Sequence, residues 1–230
     1  MDGHGLGLFV SGSGAGSVLI ARSMFCLKVP SDPAWVEHAH ESLEAILIDH
    51  AHCEMKAATN AMSLAARHPG DLGLVRALTA LAREELDHFD RVVGFLESRG
   101  LSMTKPPVDS YAADLRTCIG TLGPSPFPHN AGLIDRLLVS ALIEARSCER
   151  FKLLLERLDR EREPELFAFY EELFAAEARH YRMLVDLAIT AGGGPAKRDV
   201  VVDRLERLSV LEGAIVQKLA HCETRATIHG

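Results

Sequence analysis

The 230 residues are 47% hydrophobic, enough for one sizeable core and short of two full domains. Aromatic residues make up only 6% while Ala, Leu, Glu and Arg abound, a composition that favours helix over sheet. The formal net charge of −7 excludes a surface that attracts polyanions as a whole, so a nucleic-acid partner requires a local basic patch.

The chain opens on "MDGHGLGLFVSGSGAGSVLIARS", which matches no phosphate-loop pattern and lacks the positive flank of a secretory signal. Residues 1–24 read as a disordered Gly/Ser-rich extension, and 25–230 as a single domain. Ser31 or Asp32 caps a first helix with Pro33 in its opening turn. Its periodic pattern spans 33–68, where Pro69 and Gly70 stop it. A second helix covers about 71–99 and ends at Gly100. Residues 101–132 hold five prolines and read as a long connection with a short helix near Tyr111–Ile119. Helix three spans about 133–160. Helix four spans about 163–191, with Pro164 in its first turn and "GGGP" at its end. A last helix near 199–222 carries Val202, Leu205, Leu208, Leu211, Ile215 and Leu219 on one face and packs outside the others. Hairpin, long crossover, hairpin and extra helix describe an all-α, ferritin-like four-helix bundle with one long crossover and an additional C-terminal helix. No β-strand pattern of any length is present.

The five cysteines, Cys26, Cys53, Cys118, Cys148 and Cys222, form no C-x-x-C pair, which suits reduced thiols and a cytoplasmic setting. No apolar run reaches the ~18 residues of a membrane span.

The chemistry lies in acids placed where a core should be. In "LAREELDHF" (81–89) the residues Leu81, Ala82, Glu85, Phe89 and Val92 fall on one helical stripe, with His88 three residues after the acid. "LFAAEARHY" (173–181) repeats the layout with Glu177 and His180. Helices one and three hold one such acid each. Glu54 is surrounded by Ala51, Ala57, Ala58 and Ala61, and Glu144 by Ser140, Ala141, Ser147, Cys148 and Phe151. Four ionised carboxylates facing one another repel, and each costs several kcal/mol to desolvate without a counter-charge. Two divalent cations remove both problems. Residues at i and i+3 share one helical face, so each Glu-x-x-His can chelate one ion while Glu54 and Glu144 bridge or complete the set. This is the carboxylate constellation of di-iron and di-manganese bundles. The separations, 31 residues from 54 to 85 and 33 from 144 to 177, agree with a duplicated hairpin. Candidate ligands are therefore Glu54, Glu85, His88, Glu144, Glu177 and His180, and the ligand types suit Fe or Mn.

Neighbouring groups have plainer readings. Glu149, flanked by Arg146 and Lys152, reads as a surface ion pair; Glu84 as solvated or behind the ligands; His50 as a hydrogen-bond partner of Glu54. Asp49 and Asp87 could orient ligand imidazoles or be ordinary surface acids.

"AHCEMKAA" (51–58), "LAREELDHF", "IEARSCERF" (143–151) and "EARHY" (177–181) together resemble the MiaE family, the tRNA 2-methylthio-N6-isopentenyladenosine hydroxylases, over most of residues 25–215. "EARSCERF" is the most discriminating piece. The resemblance implies a di-iron centre on the six residues named, O2 as co-substrate, and an external electron donor of the ferredoxin or reductase type. It also implies hydroxylation of the isopentenyl group on a tRNA adenosine beside the anticodon. Candidate RNA contacts are Arg83, Arg146, Arg150 and Lys152, with Lys56 and Arg179 as additions. Phe89, Phe151, Phe174 and Tyr181 could line a prenyl channel, core packing being the plainer role for each. Two alternatives use the same pattern differently: an iron-oxidising or iron-handling protein without an organic substrate, and a metal-free helical interaction domain.

Overall fold

Asp32 starts the first helix, its carboxylate accepting the Ala34 N–H at 2.8 Å, with Pro33 in the opening turn. The computed structural model describes residues 25–106, 110–220 and 227–228; the extension expected over 1–24 lies outside them. Seven α-helices and no strand occur among the described residues: α1 Pro33–Glu41, α2 Leu43–Arg67, α3 Leu72–Ser98, α4 Ser110–Cys118, α5 Ala131–Leu155, α6 Pro164–Ala191 and α7 Arg198–Ala220.

Two boundaries differ from the sequence pattern. The first periodic stretch is divided at Ser42, whose backbone leaves the helical region (φ −122, ψ 39) while its N–H turns back to His38 O. Periodicity continues across that break because both pieces bury the same side. Helix α5 stops at Leu155, about a turn early. Asp159 takes the N–H groups of Glu161 and Arg162 at 3.0 and 3.2 Å, and its carbonyl accepts Glu163 N–H. A short acid that captures nearby amides competes with helix propagation.

Helices α2 and α3 pack as one close antiparallel pair and α5 and α6 as another. Asp71 caps α3 by accepting Leu74 N–H at 3.0 Å, and Gly100, at φ +66, ends it in the left-handed region. The crossover carries α4 and a 3-10 turn, Ile119–Leu122. The core falls into two apolar clusters. One joins Leu64, Leu78, Leu138, Leu184 and Leu205; the other joins Trp35, Leu47, Leu96, Phe169 and Leu173. Between them, midway along α2, α3, α5 and α6, lies a layer of acids and imidazoles.

Helix α7 covers the outside of the bundle against α4, α5 and α6. Buried charge fixes it there. Arg146, fully buried, donates to both oxygens of Glu212 at 2.8 and 3.0 Å, to Val29 O at 2.9 Å, to Ser31 Oγ at 3.3 Å, and to Glu149. Tyr111 from α4 donates to Glu212 at 3.0 Å. Glu149 is therefore an internal ion pair and not the surface pair its neighbours in sequence suggest. Residue 213 must be glycine for this docking, since a Cβ there would sit 2.7 Å from Val29 Cγ2. A second buried pair, Arg204 with Asp135, ties α7 to the start of α5.

Glu212→Ala leaves the Arg146 guanidinium buried without its two bonds to that carboxylate. Denaturant unfolding is expected to show a loss of about 3–5 kcal/mol, and a change below 1 kcal/mol would mean that water replaces the carboxylate.

Candidate metal centre

All six residues singled out from the sequence converge. Glu54 comes from α2, Glu85 and His88 from α3, Glu144 from α5, and Glu177 and His180 from α6; all but His88 are buried. Two overlapping donor groups form, each with its ligating atoms within 4.8 Å of one another: Glu54, Glu85, His88 and Glu177, then Glu85, Glu144, Glu177 and His180. Glu85 and Glu177 belong to both groups, whereas Glu54 and Glu144 each belong to one.

The imidazoles present Nδ1 inward. His88 Nδ1 lies 3.4 Å from Glu85 and 3.9 Å from Glu54; His180 Nδ1 lies 3.1 Å from Glu85 and 3.5 Å from Glu177. None of these approaches has hydrogen-bond geometry. Glu85 Oε1, His88 Nδ1, Glu177 Oε2 and His180 Nδ1 are buried without a hydrogen-bond partner. Native interiors rarely leave such atoms unpaired, and four of them divided over two adjoining donor groups fit cations. The donor set, four carboxylates and two imidazoles, has no sulfur. Cys148 stands beside it, but its thiol donates to Phe174 O at 3.3 Å and is pushed well up by burial, then by Glu177 and Glu144.

Electrostatics without a metal tell the same story. Burial, reinforced by Glu85 and Glu177, pushes Glu54 well above the ordinary carboxylate range; burial and Glu177 do the same to Glu144. Burial disfavours charge on His180, yet Glu177 and Glu85 outweigh it and raise the imidazole to about 12. Burial also works against charge on Glu85, but His180 and His88 hold it below its usual value. Protons stand where ions would sit.

A supporting layer surrounds these donors. His50, with no exposure, places Nε2 at 2.6 Å from Glu54 Oε1, and Tyr170 OH lies 3.3 Å from its Nδ1. A phenol donating to Nδ1 would leave the imidazole proton on Nε2, facing Glu54. The Tyr170 ring stacks on His50 at 17°. Glu84, half exposed, lies 3.1 Å from His180 Nε2 and so orients that imidazole. Asp49 is buried and accepts Ile228 N–H at 2.6 Å, whereas Asp87 is exposed. Tyr170 escaped the sequence reading, although it lies two turns before Glu177 on the same stripe.

A cavity of about 800 Å3 reaches the centre through the seam between α2 and α5, under α4. Glu54, Glu144 and Glu177 form its floor, and Leu64, Leu78, Leu81, Val139, Ile143 and Leu184 its walls. Exposed Arg67, Arg116 and Arg136 stand among its lining, and none makes an ion pair among the described residues. Lys56 also lines it. Two of the candidate RNA contacts do not survive. Arg146 is spent on Glu149 and Glu212, and Arg150 is buried over the Trp35 ring at 4.8 Å, donating to Thr227 and Ile228 carbonyls. Both follow the charged side of "EARSCERF", which faces α7 and the chain end and not solvent. Arg83 is exposed, and Arg179 lies 3.5 Å from Glu84. Of the proposed channel aromatics, Phe151 lines the cavity, while Tyr181 packs edge-on against Phe25 in the core.

The sequence model of the family described as tRNA-(MS2IO6A)-hydroxylase (MiaE) matches residues 18–228. The tRNA 2-(methylsulfanyl)-N(6)-isopentenyladenosine(37) hydroxylase of Pseudomonas putida is 40% identical over 166 residues, covering 72% of this chain and 76% of its own. Its namesake from Salmonella typhimurium is 28% identical over 211 residues, covering 70% and 74%. A solved structure from Synechococcus, described as a protein with aldehyde deformylating oxygenase activity, superposes with a TM-score of 0.75 at 37% identity over 89% of this chain and 95% of that one.

Two outcomes follow from the centre's electrostatics and support. In the metal-free protein, folded Glu54 and Glu144 keep protons that the unfolded chain releases above 4.5, and His180 keeps one that the unfolded chain releases above 6.5. Their contribution to stability is full below those values and is lost as pH rises; Glu85, shifted the other way, weakens the fold only in acid. The metal-free Tm should therefore fall between about pH 5 and about pH 9, with metal loading releasing protons and flattening the slope; a flat metal-free profile by scanning calorimetry would contradict it. His50→Leu removes the donor to Glu54 and is expected to weaken metal binding about 10–100-fold by calorimetric titration, with His50→Gln recovering part of the loss.

Proposed function

The chain belongs to the MiaE family, and from that premise we infer that it hydroxylates the isopentenyl side chain of 2-methylthio-N6-isopentenyladenosine in tRNA, with each residue of the centre taking a defined part. The observation that carries this reading is a six-donor cluster lying at the floor of an apolar cavity whose lining includes exposed arginines. An iron-handling protein needs the cluster but has no use for the cavity. A metal-free interaction domain has no use for either.

The six residues would hold two ions, Glu54 and His88 on one side and Glu144 and His180 on the other, with Glu85 and Glu177 common to both groups. The ions are iron, manganese having the same ligand preferences. Such a pair, when bound, supplies O2 reduction and the oxidant that attacks a C–H bond. Each turnover inserts one oxygen atom into the substrate and releases the other as water, consuming two electrons and two protons. The electrons come from an external donor of the ferredoxin or reductase type, since the sequence carries no recognisable flavin or iron–sulfur motif of its own.

The chain's own groups do the rest. His50 and Glu84 hold Glu54 and His180 in place from behind, so the ligand atoms do not reorganise when charge changes at the centre. The leucine and valine walls exclude water and receive the prenyl group. Arg67, Arg116 and Arg136 set a positive rim on a protein of negative net charge, giving RNA phosphates the local patch they require. No described helix is long and apolar enough to cross a membrane, and a tRNA substrate places the enzyme in the cytoplasm.

Digestion of prenylated, methylthiolated tRNA after incubation with the iron-loaded protein, O2 and a reductant should yield a nucleoside heavier by one oxygen. His180→Ala is expected to lower iron content and abolish that product; full activity without near-stoichiometric metal would remove the centre from the reaction.

A further inference from the structure

Between the metal floor and the arginines, one polar bridge crosses the cavity wall. Asn60 on α2 donates through Nδ2 to Ser140 Oγ on α5 at 3.0 Å, and both residues line the cavity. Asn60 is exposed and Ser140 half-buried. The bridge also shows that α2 and α5 run antiparallel, with Glu54 level with Glu144 and Asn60 level with Ser140.

Helical rise turns this into a depth scale. Asn60 stands about 9 Å along α2 from Glu54, and Ser140 about 6 Å along α5 from Glu144. Arg136 and Arg67 stand farther out, about 12 and about 20 Å from the same acids. A prenyl group extends about 5 Å beyond the N6 atom that bears it, from four bonds of roughly 1.5 Å each. A base held at the level of the bridge therefore brings the end of its prenyl chain to within a few ångströms of the acids, while the phosphates flanking it reach the arginines.

The chemistry at the bridge suits a purine edge. An amide side chain has two N–H donors and one carbonyl acceptor. With Ser140 accepting from the N–H that points away from Oδ1, Oδ1 and the other N–H remain as an adjacent acceptor–donor pair. Adenine offers the complement, N6–H beside N7, and the bidentate pairing of asparagine with these two atoms is a recurrent mode of adenine recognition. Prenylation leaves one hydrogen on N6. Guanine presents an acceptor at that position, which repels the carbonyl.

We propose that Asn60, held in register by Ser140, binds the N6–H/N7 edge of the modified adenine and sets the depth to which its side chain reaches. This rests on the tRNA hydroxylase reading given above. It assigns selectivity for the base to the cavity wall, separate from the phosphate contacts of the rim and from the metal ligands.

The test uses the iron-loaded full chain and an anticodon stem-loop bearing the methylthiolated, prenylated adenosine, beside the same stem-loop with 7-deazaadenine at that base. Asn60→Ala should raise the anaerobic Kd and lower kcat/KM about 10- to 100-fold on the natural base, with metal content and Tm unchanged, and Ser140→Ala should show a smaller loss. The 7-deaza base should cost the wild type about tenfold and the Asn60→Ala variant less than about twofold, because the contact is already gone. Equal losses in both proteins, or an Asn60→Ala variant that binds as wild type does, would overturn the assignment. Absence of product from wild type with the natural stem-loop would overturn the hydroxylase reading itself, and this proposal with it.

Discussion

Four carboxylates at one level of a helical bundle cannot all ionise there unaided, and the rest of this structure is arranged around that fact. The acid layer splits the core into two apolar clusters, one on each side along the bundle axis. Alanines beside Glu54 and small residues beside Glu144 make room for the carboxyl groups. Where no metal is present, burial and the neighbouring acids keep protons on Glu54 and Glu144 well above the ordinary carboxylate range. Such a site is poised to exchange protons for cations, which is what a metal centre requires of its apoprotein.

The same helix carries a second buried charge cluster that behaves in the opposite way. Arg146 lies two residues from Glu144 yet faces α7, where Glu212, Glu149, Ser31 and Val29 satisfy its donors. That network is closed: the hydrogen bonds of Arg146 are made, and Arg150, which donates to the same Ser31 Oγ at 3.3 Å, sets a second positive charge against the two acids. The acid layer is open, with inward-facing oxygen and nitrogen atoms left unpaired. Closed buried networks hold elements together, and open ones hold ligands. This difference, more than the number of acids in either, separates the docking of α7 from the functional centre.

Division of labour along the cavity follows from simple chemistry. Ions need hard, buried oxygen and nitrogen donors, an isoprenoid needs a dry apolar wall, a base edge needs a fixed donor and acceptor, and phosphates need exposed cations. These demands occur in that order from floor to mouth, on successive turns of α2 and α5. A chain with a net charge of −7 can then engage RNA without being basic overall.

The sequence by itself determined the bundle, its long crossover and the six acids and imidazoles that meet at one level, because helical periodicity is local. An acid at i with a histidine at i+3 on an apolar stripe can be read without knowing where the stripe points. Tertiary structure alone decided which acids are shared between the two donor groups, since that depends on distances across four helices. It also decided the fate of Arg146 and Arg150. Their neighbours in sequence suggested solvent, but α7 and residues 227–228 return from far along the chain to cover them. The arginine rim was invisible for the same reason: Arg67, Arg116 and Arg136 come from three different helices, and no spacing along one chain records that they meet.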